Sequence, residues 1–429
     1  MKIPHQNLRS VLVPVVAVTS VQMSVVQIVD VVTVGNRSVT AVGPVFVVVL
    51  GVSDARIGRA LVPVIVVLMM TVPVVDVVDV IVVDHRHMAA IGPVYVRMFV
   101  VSMGLAHEHS LAFVAKSVWN GDVTSFADRL LDASIVGGFS RLGYALRSRQ
   151  SSWESLPPDS LAGQRVVVTG PTSGIGRAAA ERVAALGATV VLVGRDAERT
   201  GRVADALGGD HEVVVCDVSN LESVAESCAA ITSSGIPDVV VHNAGALLHE
   251  VVRTPQGFET TMAVHVLAPH LVTRLIAAPR SIWVASGGMY GASLVDPRRR
   301  DPMTPSKYDG TRQYASAKRF QVALVQEWAT REPDRFVAVM HPGWADTPGV
   351  RTSLPGFAKV TAPILRSADE GADTIAWLSA TRRDLPSGEF WCDREVRPRH
   401  RLPSTKKSDT EDRRAAVFAW ADELTDPWT

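Results

Sequence analysis

The sequence predicts an α/β fold in which helices cover both faces of a doubly wound, parallel sheet that forms a single domain. From Arg165 onward, seven short, valine-rich apolar runs alternate with amphipathic stretches. Strands that are apolar throughout are typical of a parallel sheet buried on both faces. The first run leads directly into the glycine-rich turn "TGPTSGIG", and a turn of this kind joins the first strand of such a sheet to a helix.

Residues 1–104 precede this fold as a valine-rich extension, which we do not expect to form a folded domain. About a third of the first hundred residues are valine, in runs such as "VPVVDVVDVIVVD" that have neither a helical nor an alternating period. A start codon assigned too far upstream in a GC-rich gene would produce such a segment, with Met103 as the true start. The alternative is a membrane-associated segment, although the longest apolar run has about 15 residues and a bilayer span needs about 20.

Two further regions flank the predicted sheet. Residues 105–160 have helix-like spacing up to "YALRSRQ" and then the Ser, Pro and Gly content of a linker in "SSWESLPPDSLAGQ". They are therefore predicted to form lead-in helices and a linker. Residues 396–429 are expected to form a C-terminal tail and helix.

The strands and helices of the sheet follow one another along the chain. The predicted helices include "GRAAAERVAAL" and "YASAKRFQVALVQEWAT". The predicted strands are "RVVVT", "ATVVLVG", "HEVVVCD", "PDVVVHNAG", "SIWVAS", "RFVAVMHPG" and "GEFWCD". Ligands of such sheets bind at the carboxyl ends of the strands.

Glycines between the first strand and the first helix predict a pyrophosphate site. Without side chains they let the phosphates approach the backbone, and the helix N-terminus supplies free N–H groups and the positive end of a dipole. The glycines are separated by three residues and then by one, unlike the commonest dinucleotide fingerprint. The predicted cradle consists of Gly170, Thr172, Ser173, Gly174, Ile175 and Gly176.

A tyrosine and a lysine four residues apart in "YASAK" form a candidate proton-transfer pair. On a helix this spacing places Tyr314 and Lys318 on one face, and a nearby cation lowers the pKa of a phenol towards the useful range. Tyr308 has Arg312 at the same spacing, and a guanidinium is poorly suited to holding a ribose hydroxyl as well. Taken alone, the pair is weak evidence, because a tyrosine and a lysine at this spacing occur by chance on many surface helices.

The composition argues against several other classes of protein. Basic and acidic residues balance at 43 each, so nothing favours nucleic-acid binding. Cys216, Cys228 and Cys392 have no metal-ligand or CxxC spacing, so we expect no metal site, no disulfide framework and a reducing, cytoplasmic location.

Several motifs together resemble the short-chain dehydrogenase/reductase family. "TGPTSGIG", "CDVSN", "HNAG", "VASGG", "YASAK" and "HPGWADT" occur in the order and context of that family, over residues 161–395. "SGGM", "HPGWADTPGV", "LPGF" and "GADT" are similar to its retinol-dehydrogenase-like subgroup. The resemblance implies a Rossmann-type fold and a hydride transfer that interconverts a small-molecule carbonyl and an alcohol. It also favours a homo-oligomer. A non-catalytic dinucleotide-binding protein is the alternative.

The resemblance implies a role for each motif residue. Tyr314 would be the acid/base, Lys318 would lower its pKa and hold the nicotinamide ribose, and Ser286 would bind the substrate oxygen. The other cofactor contacts implied are Asn243, Ala244 and Gly245 beside the adenosine, Asp217 and Val218 along the adenine, and Pro342, Gly343 and Thr347 near the nicotinamide carboxamide. The Asn-Ala-Gly motif could instead stabilise the sheet.

The residue after the second strand predicts the cofactor. An acidic side chain there would bind the ribose 2′-hydroxyl, whereas a basic one attracts a 2′-phosphate. Arg195 occupies this position in "VLVGRDAER", which favours NADP(H). Asp196 follows it, so NAD(H) stays open, as does the interpretation of Arg195 as a solvated loop residue.

His265 departs from the family pattern. Family members usually have an asparagine at this point in the helix after the Asn-Ala-Gly turn, where it bends the backbone and anchors a water of the proton relay. A neutral imidazole can both donate and accept, so His265 is expected to serve the relay, with activity falling below about pH 6.5 or somewhat lower. Alternatively, His265 only fills a gap between helices.

Overall fold

The computed structural model of the 429-residue chain describes residues 135–149, 153, 155–305 and 307–429. The valine-rich extension and residues 105–134 of the lead-in region lie outside the described residues.

Eight strands form the sheet, and seven of them are the predicted ones. They are β1 (Arg165–Thr169), β2 (Thr189–Gly194), β3 (Glu212–Val215), β4 (Val239–His242), β5 (Arg280–Val284), β6 (Phe336–Met340), β7 (Phe390–Cys392) and β8 (Glu395–Val396). Their order is β3-β2-β1-β4-β5-β6-β7-β8, and every pair is parallel except β7 with β8. The prediction of a doubly wound parallel sheet is therefore confirmed.

The eighth strand is an addition that the sequence pattern did not predict. It has two residues, too few for an apolar run, and it follows a hairpin turn in which Asp393 and Arg394 have φ values of 56° and 60°. Non-glycine residues seldom adopt this left-handed conformation.

Helices cover both faces of the sheet. The described helices are α1 (Ile135–Phe139), α2 (Arg141–Arg149), α3 (Gly174–Ala185), α4 (Ala197–Leu207), α5 (Leu221–Ser233), α6 (Thr260–Met262), α7 (Ala268–Leu275), α8 (Gly310–Arg331), α9 (Pro348–Ser353), α10 (Pro355–Thr361), α11 (Ala368–Ala380), α12 (Pro403–Ser408) and α13 (Glu411–Thr425). Short 3₁₀ turns add Gly287–Gly291, Ala362–Ile364 and Asp426–Trp428. No helix of the described part is long and apolar enough to cross a membrane.

Two apolar cores result, one on each face. Alternate side chains of β1 point to opposite faces, so Val167 belongs to one core and Val166 and Val168 to the other. The first core packs against α5, α7, α8 and α13, the second against α3, α4 and α11. Continuous valine runs form the inner strands because both faces of such strands are buried, whereas the edge strand β3 exposes Val213 and Val215.

A π-helical turn interrupts the helix that follows the fourth strand. The turn, Ala263–Leu267, lies between α6 and α7, and the backbone stays right-handed and helical at both junctions. Such turns occur frequently at functional sites. His265 lies at its centre.

The segments before and after the sheet pack on it through buried polar contacts. In α2, the Arg147 guanidinium lies 2.6 Å from the Asp393 carboxylate. In α7, the buried His270 ring lies 2.8 Å from the Asp422 carboxylate of α13. Both segments are therefore integral to the described fold.

Candidate active site

The glycine turn lies where the first strand ends and α3 begins. Gly170 and Gly174 have φ values of 68° and 55°, which only glycine adopts without strain. A Cβ on Gly176 would overlap the Asn243 side chain and the Gly170 carbonyl, so the absence of a side chain lets the helix approach the strand. Ser173 occupies the N-cap of α3 without a side-chain capping bond. The first N–H groups of α3 thus have no side-chain cap and suit an anion.

Asn243 holds the glycine turn in place. Its side-chain amide donates to the Thr169 carbonyl at 2.9 Å and to the Gly170 carbonyl at 3.2 Å. The Thr169 hydroxyl in turn accepts from the backbone N–H groups of Asn243 and Ala244, each at 3.0 Å. These contacts favour the alternative in which Asn243 stabilises the sheet, because its donors are already used within the fold.

The loop between β6 and α9 contacts the glycine turn. A Cβ on Gly174 would meet the Thr347 side chain at 3.2 Å. Thr347 caps α9 by accepting from the Val350 N–H at 3.2 Å, and the buried Pro342 and Gly343 precede it. The structure thus brings the predicted pyrophosphate and nicotinamide segments together. Thr172 and Ile175 of the glycine turn are partly buried.

The acidic residue beside Arg195 is engaged in helix capping. The Asp196 carboxylate accepts from the Arg199 N–H at 2.9 Å and so caps α4, while Arg195 is exposed at the end of β2. Asp217, after β3, accepts from both the N–H and the hydroxyl of Ser219. Its neighbour Val218 packs against the first core.

Tyr314, Ser286 and Lys318 meet at the carboxyl ends of β4, β5 and β6. Ser286 lies close enough to the Tyr314 hydroxyl to lower the pKa of the phenol. Lys318 is 3% exposed, and its Nζ donates to the Val284 carbonyl at 2.7 Å. The same Nζ lies 5.4 Å from the centroid of the Tyr314 ring.

The pKa values differ from the expectation that Lys318 lowers the pKa of Tyr314. Burial raises the pKa of Tyr314, and the nearby Ser286 side chain only partly opposes this. Burial also lowers the pKa of Lys318 to about 7. The lysine charge is directed at the Val284 carbonyl, so in this arrangement Ser286 is the group that favours the phenolate.

His265 lies under the Asn-Ala-Gly turn and against the Tyr314 ring. The two ring centroids are 5.2 Å apart with an interplanar angle of 88°. His265 Nε2 lies 3.1 Å from the Ala246 nitrogen and 2.8 Å from the Ala246 oxygen, and a Cβ on Gly245 would meet the imidazole. Burial, and then Lys318, lower the pKa of His265 well below 6.5. The ring is therefore neutral near pH 6.5, and the expected loss of activity on protonation moves to a lower pH.

Tyr308 lies away from this group. Its hydroxyl donates to the Leu248 carbonyl and to the buried Glu259 carboxylate, each at 3.3 Å. Glu259 also accepts from Gln313 at 2.9 Å. Tyr308 thus joins the loop before α8 to the start of α6, which is a structural role.

Sequence reasoning missed a group of buried residues behind the Pro-Gly turn. A Cβ on Gly343 would overlap the Arg366 guanidinium, which is 2.5 Å from Asp393. The Phe139 ring of α1 lies 4.2 Å from the His341 ring, and burial lowers the pKa of His341 to about 3. These residues are far apart in the sequence, and no motif joins them.

The geometry of the site fits a dinucleotide. A backbone cradle, an uncapped helix N-terminus and a hydroxyl pair follow one another along the sheet edge, as a long, phosphate-bearing cofactor requires. Within the described residues, no group of three or more His, Cys, Asp or Glu side chains could hold a metal ion. This arrangement defines a dinucleotide-dependent oxidoreductase.

Comparison with known proteins identifies the family. The chain matches the family model described as enoyl-(acyl carrier protein) reductase over residues 170–379. It is 35% identical over 288 residues to the Bos taurus protein named dehydrogenase/reductase SDR family member 12, covering 62% of this chain and 89% of that protein. It is 28% identical over 259 residues to Mus musculus retinol dehydrogenase 14, covering 52% of this chain and 75% of that protein.

A solved structure agrees in fold. The crystal structure of an uncharacterized protein from Mycobacterium paratuberculosis superimposes with a TM-score of 0.52 at 22% identity, covering 63% of this chain and 96% of that one. The chain belongs to the short-chain dehydrogenase/reductase family, whose members are NAD(P)-dependent oxidoreductases that act on CH–OH groups. The predictions of this family and of its retinol-dehydrogenase-like subgroup are confirmed.

Proposed function

We propose that this protein is an NADP(H)-dependent oxidoreductase that interconverts a small-molecule carbonyl and an alcohol, with Tyr314 as the acid/base. The observation that carries the proposal is the meeting of Tyr314, Ser286 and the buried Lys318, whose Nζ lies 5.4 Å from the centroid of the Tyr314 ring. The set of three residues is complete, so the non-catalytic alternative is not proposed.

The nicotinamide cofactor supplies or accepts the hydride when bound. During carbonyl reduction, negative charge develops on the substrate oxygen, and hydroxyl donors placed at that oxygen stabilise it. Tyr314 transfers its proton to this oxygen, while Ser286 donates a second hydrogen bond. In the oxidation direction, Tyr314 accepts the proton from the alcohol.

Lys318 and His265 support this proton transfer. A lysine whose pKa is about 7 can gain or lose a proton near neutral pH, and the cofactor ribose can hydrogen-bond to its Nζ. Neutral His265 packs at about a right angle against the Tyr314 ring. It is the next group in the proposed proton relay, which leads from Tyr314 towards the Ala246 backbone and solvent. This assignment rests on the neutral imidazole, which both donates and accepts.

The preference for NADP(H) rests on the end of the second strand. Asp196 is occupied as the cap of α4, so its carboxylate is not directed at a ribose 2′-hydroxyl. The exposed Arg195 guanidinium can pair with a 2′-phosphate through charge-assisted hydrogen bonds. Gly170, Thr172, Ser173, Gly174, Ile175, Gly176, Asp217, Val218, Asn243, Ala244, Gly245, Pro342, Gly343 and Thr347 complete the proposed cofactor site.

The remaining parts of the proposal concern substrate, assembly and location. One relative is named for retinol, an alcohol, which supports an alcohol and carbonyl pair as the substrate class. The balanced charge supports a protein that does not bind nucleic acid. We place the protein in the cytoplasm and propose a homo-oligomer on the family resemblance, with residues 161–395 as the catalytic domain and residues 1–104 dispensable.

The decisive experiment compares two tyrosine variants. Tyr314→Phe should lower kcat by ~10²- to 10⁴-fold, the range for general acid/base groups, with the NADPH Kd within a few-fold. The matched control is Tyr308→Phe, which removes the same hydroxyl from the same region and should keep most turnover. NADPH oxidation is followed with a panel of aldehydes and ketones that includes all-trans-retinal. Equal losses in the two variants would show that Tyr314 is not the acid/base.

A further inference from the structure

The 3₁₀ turn that follows Ser286 has few hydrogen bonds within itself. Three of the five residues in the 3₁₀ turn Gly287–Gly291 are glycine, and glycine has the greatest backbone freedom. The turn contains backbone bonds of 3.1 Å from Met289 to Ser286 and 3.3 Å from Ala292 to Met289. The Ser286 hydroxyl accepts from the Gly288 N–H at 3.3 Å, so its position follows that of the turn, which contacts from outside help to fix.

The outside contacts come mainly from one buried arginine. Arg319 is 0% exposed, and its guanidinium donates to the Met289 carbonyl at 2.8 Å and 3.2 Å and to the Ala292 carbonyl at 3.1 Å. The rigid fork of a guanidinium fixes several acceptors at once, which lysine cannot do. Arg319 thus holds both the middle and the end of the turn.

The same guanidinium is anchored to the C-terminal segment. It donates to the Arg399 carbonyl at 3.0 Å and lies 4.0 Å from the buried Asp409 carboxylate. Beside it, the hydroxyl of Tyr290, a residue of the turn, donates to the Pro398 carbonyl at 2.7 Å. The turn is therefore held between α8 and residues 398–409.

Arg319 lies on the helix that carries Tyr314 and Lys318. It is the next residue after Lys318 and five residues after Tyr314. The same helix therefore carries Tyr314 and, through Arg319, contacts the turn that follows Ser286.

We propose that Arg319 is a positioning residue that sets the Ser286 hydroxyl against Tyr314 for proton transfer. The proposal rests on the proposed function. Misplacing a catalytic group by about 1 Å can lower turnover by ~10²-fold, so loss of the guanidinium should act on kcat and leave cofactor binding nearly intact.

The test compares Arg319→Gln with a matched arginine variant, Arg335→Gln. Arg335 directly precedes β6, at the amino ends of the strands. It donates to the Ala278, Thr273 and Ile276 carbonyls at 3.0 to 3.3 Å. Each variant loses an arginine that binds backbone carbonyls, but only Arg319 touches the Ser286 turn. Amide hydrogen exchange of peptide 286–292 should speed up by at least ~10-fold in the NADPH-bound Arg319 variant, and should match the wild type in the Arg335 variant.

Kinetics provide the second measurement. With a carbonyl that the wild type reduces, Arg319→Gln should lower kcat by ~10- to 100-fold with NADPH Kd within about threefold, whereas Arg335→Gln should keep kcat. In a Ser286→Ala background, Arg319→Gln should add little, because residues that act through one another are not additive. Arg319→Lys, which keeps the charge, covers the case in which the glutamine variant does not fold and should give an intermediate kcat.

Two results would overturn the positioning role: unchanged exchange in peptide 286–292, or full additivity with Ser286→Ala. Failure of the proposed function looks different. In that case the wild type reduces no carbonyl, or Ser286→Ala keeps full kcat, while the exchange measurement still decides whether Arg319 holds the turn.

Discussion

Burial of Lys318 predicts that its removal stabilises the protein in a pH-dependent way. Burial lowers the pKa of Lys318 from 10.5 to about 7, and each pH unit corresponds to ~1.4 kcal/mol. The buried charge thus costs the folded state ~5 kcal/mol below pH 7. Replacement by methionine removes this cost but leaves the Val284 carbonyl unpaired, at ~1–3 kcal/mol. We expect Lys318→Met to raise the free energy of unfolding by ~2–4 kcal/mol at pH 6.

The sign of the pH dependence follows from the lowered pKa. Between pH 7 and 10.5 the unfolded chain keeps the proton that the folded protein has lost, so wild-type stability rises with pH in this window. The advantage of Lys318→Met should therefore shrink by ~1.4 kcal/mol per pH unit above pH 7 and nearly vanish at about pH 9.

Urea unfolding followed by tryptophan fluorescence, without nucleotide, measures this difference at pH 6 and pH 9. Lys359, exposed on α10, provides the matched control, because Lys359→Met removes the same charge from the surface. A difference between wild type and Lys318→Met that is the same at both pH values would refute the reasoning.

Two further predictions concern proton relay and cofactor choice. His265→Asn should keep kcat within a few-fold, and His265→Leu should lower it by at least ~10-fold. Wild type and the asparagine variant should have the same pH dependence near pH 6.5, because burial and Lys318 keep the pKa of His265 well below that value; an acid limb near pH 6.5 that asparagine abolishes would contradict this. Arg195→Ala should raise the NADPH Kd by ~10-fold, as expected for one charge-assisted pair, and the NADH Kd by less than twofold; fluorescence titration that finds NADH preferred by the wild type would refute the assignment.

Local patterns in the sequence were sufficient for the sheet and for one choice within the candidate site. The inner parallel strands are apolar runs because they are buried on both faces. The turn after β1 needs glycine wherever φ is positive or a helix approaches a strand. Side chains four apart on a helix share a face, and the presence of a lysine rather than an arginine at that spacing distinguished Tyr314 from Tyr308.

The sequence could not show how the selected residues are charged or what holds them. The pKa of Tyr314 rises, and that of Lys318 falls, because both are buried by segments distant in sequence. Whether Asp196 faces a ribose or caps α4 depends on the backbone at the end of β2.

Long-range contacts were likewise decided only by the tertiary structure. Arg319 follows the "YASAK" motif in a buried stretch of α8 and has no motif of its own, yet it joins the Ser286 turn to the Arg399 carbonyl. Gly138 and Asp393, far apart in the sequence, are joined behind Gly343 by the Arg366 guanidinium, which donates to both. The sequence selected the residues that we propose for the chemistry, because their motifs depend on spacing along one strand or helix. Their positions and proton affinities depend on which distant segments exclude water from them, and only the folded chain decides that.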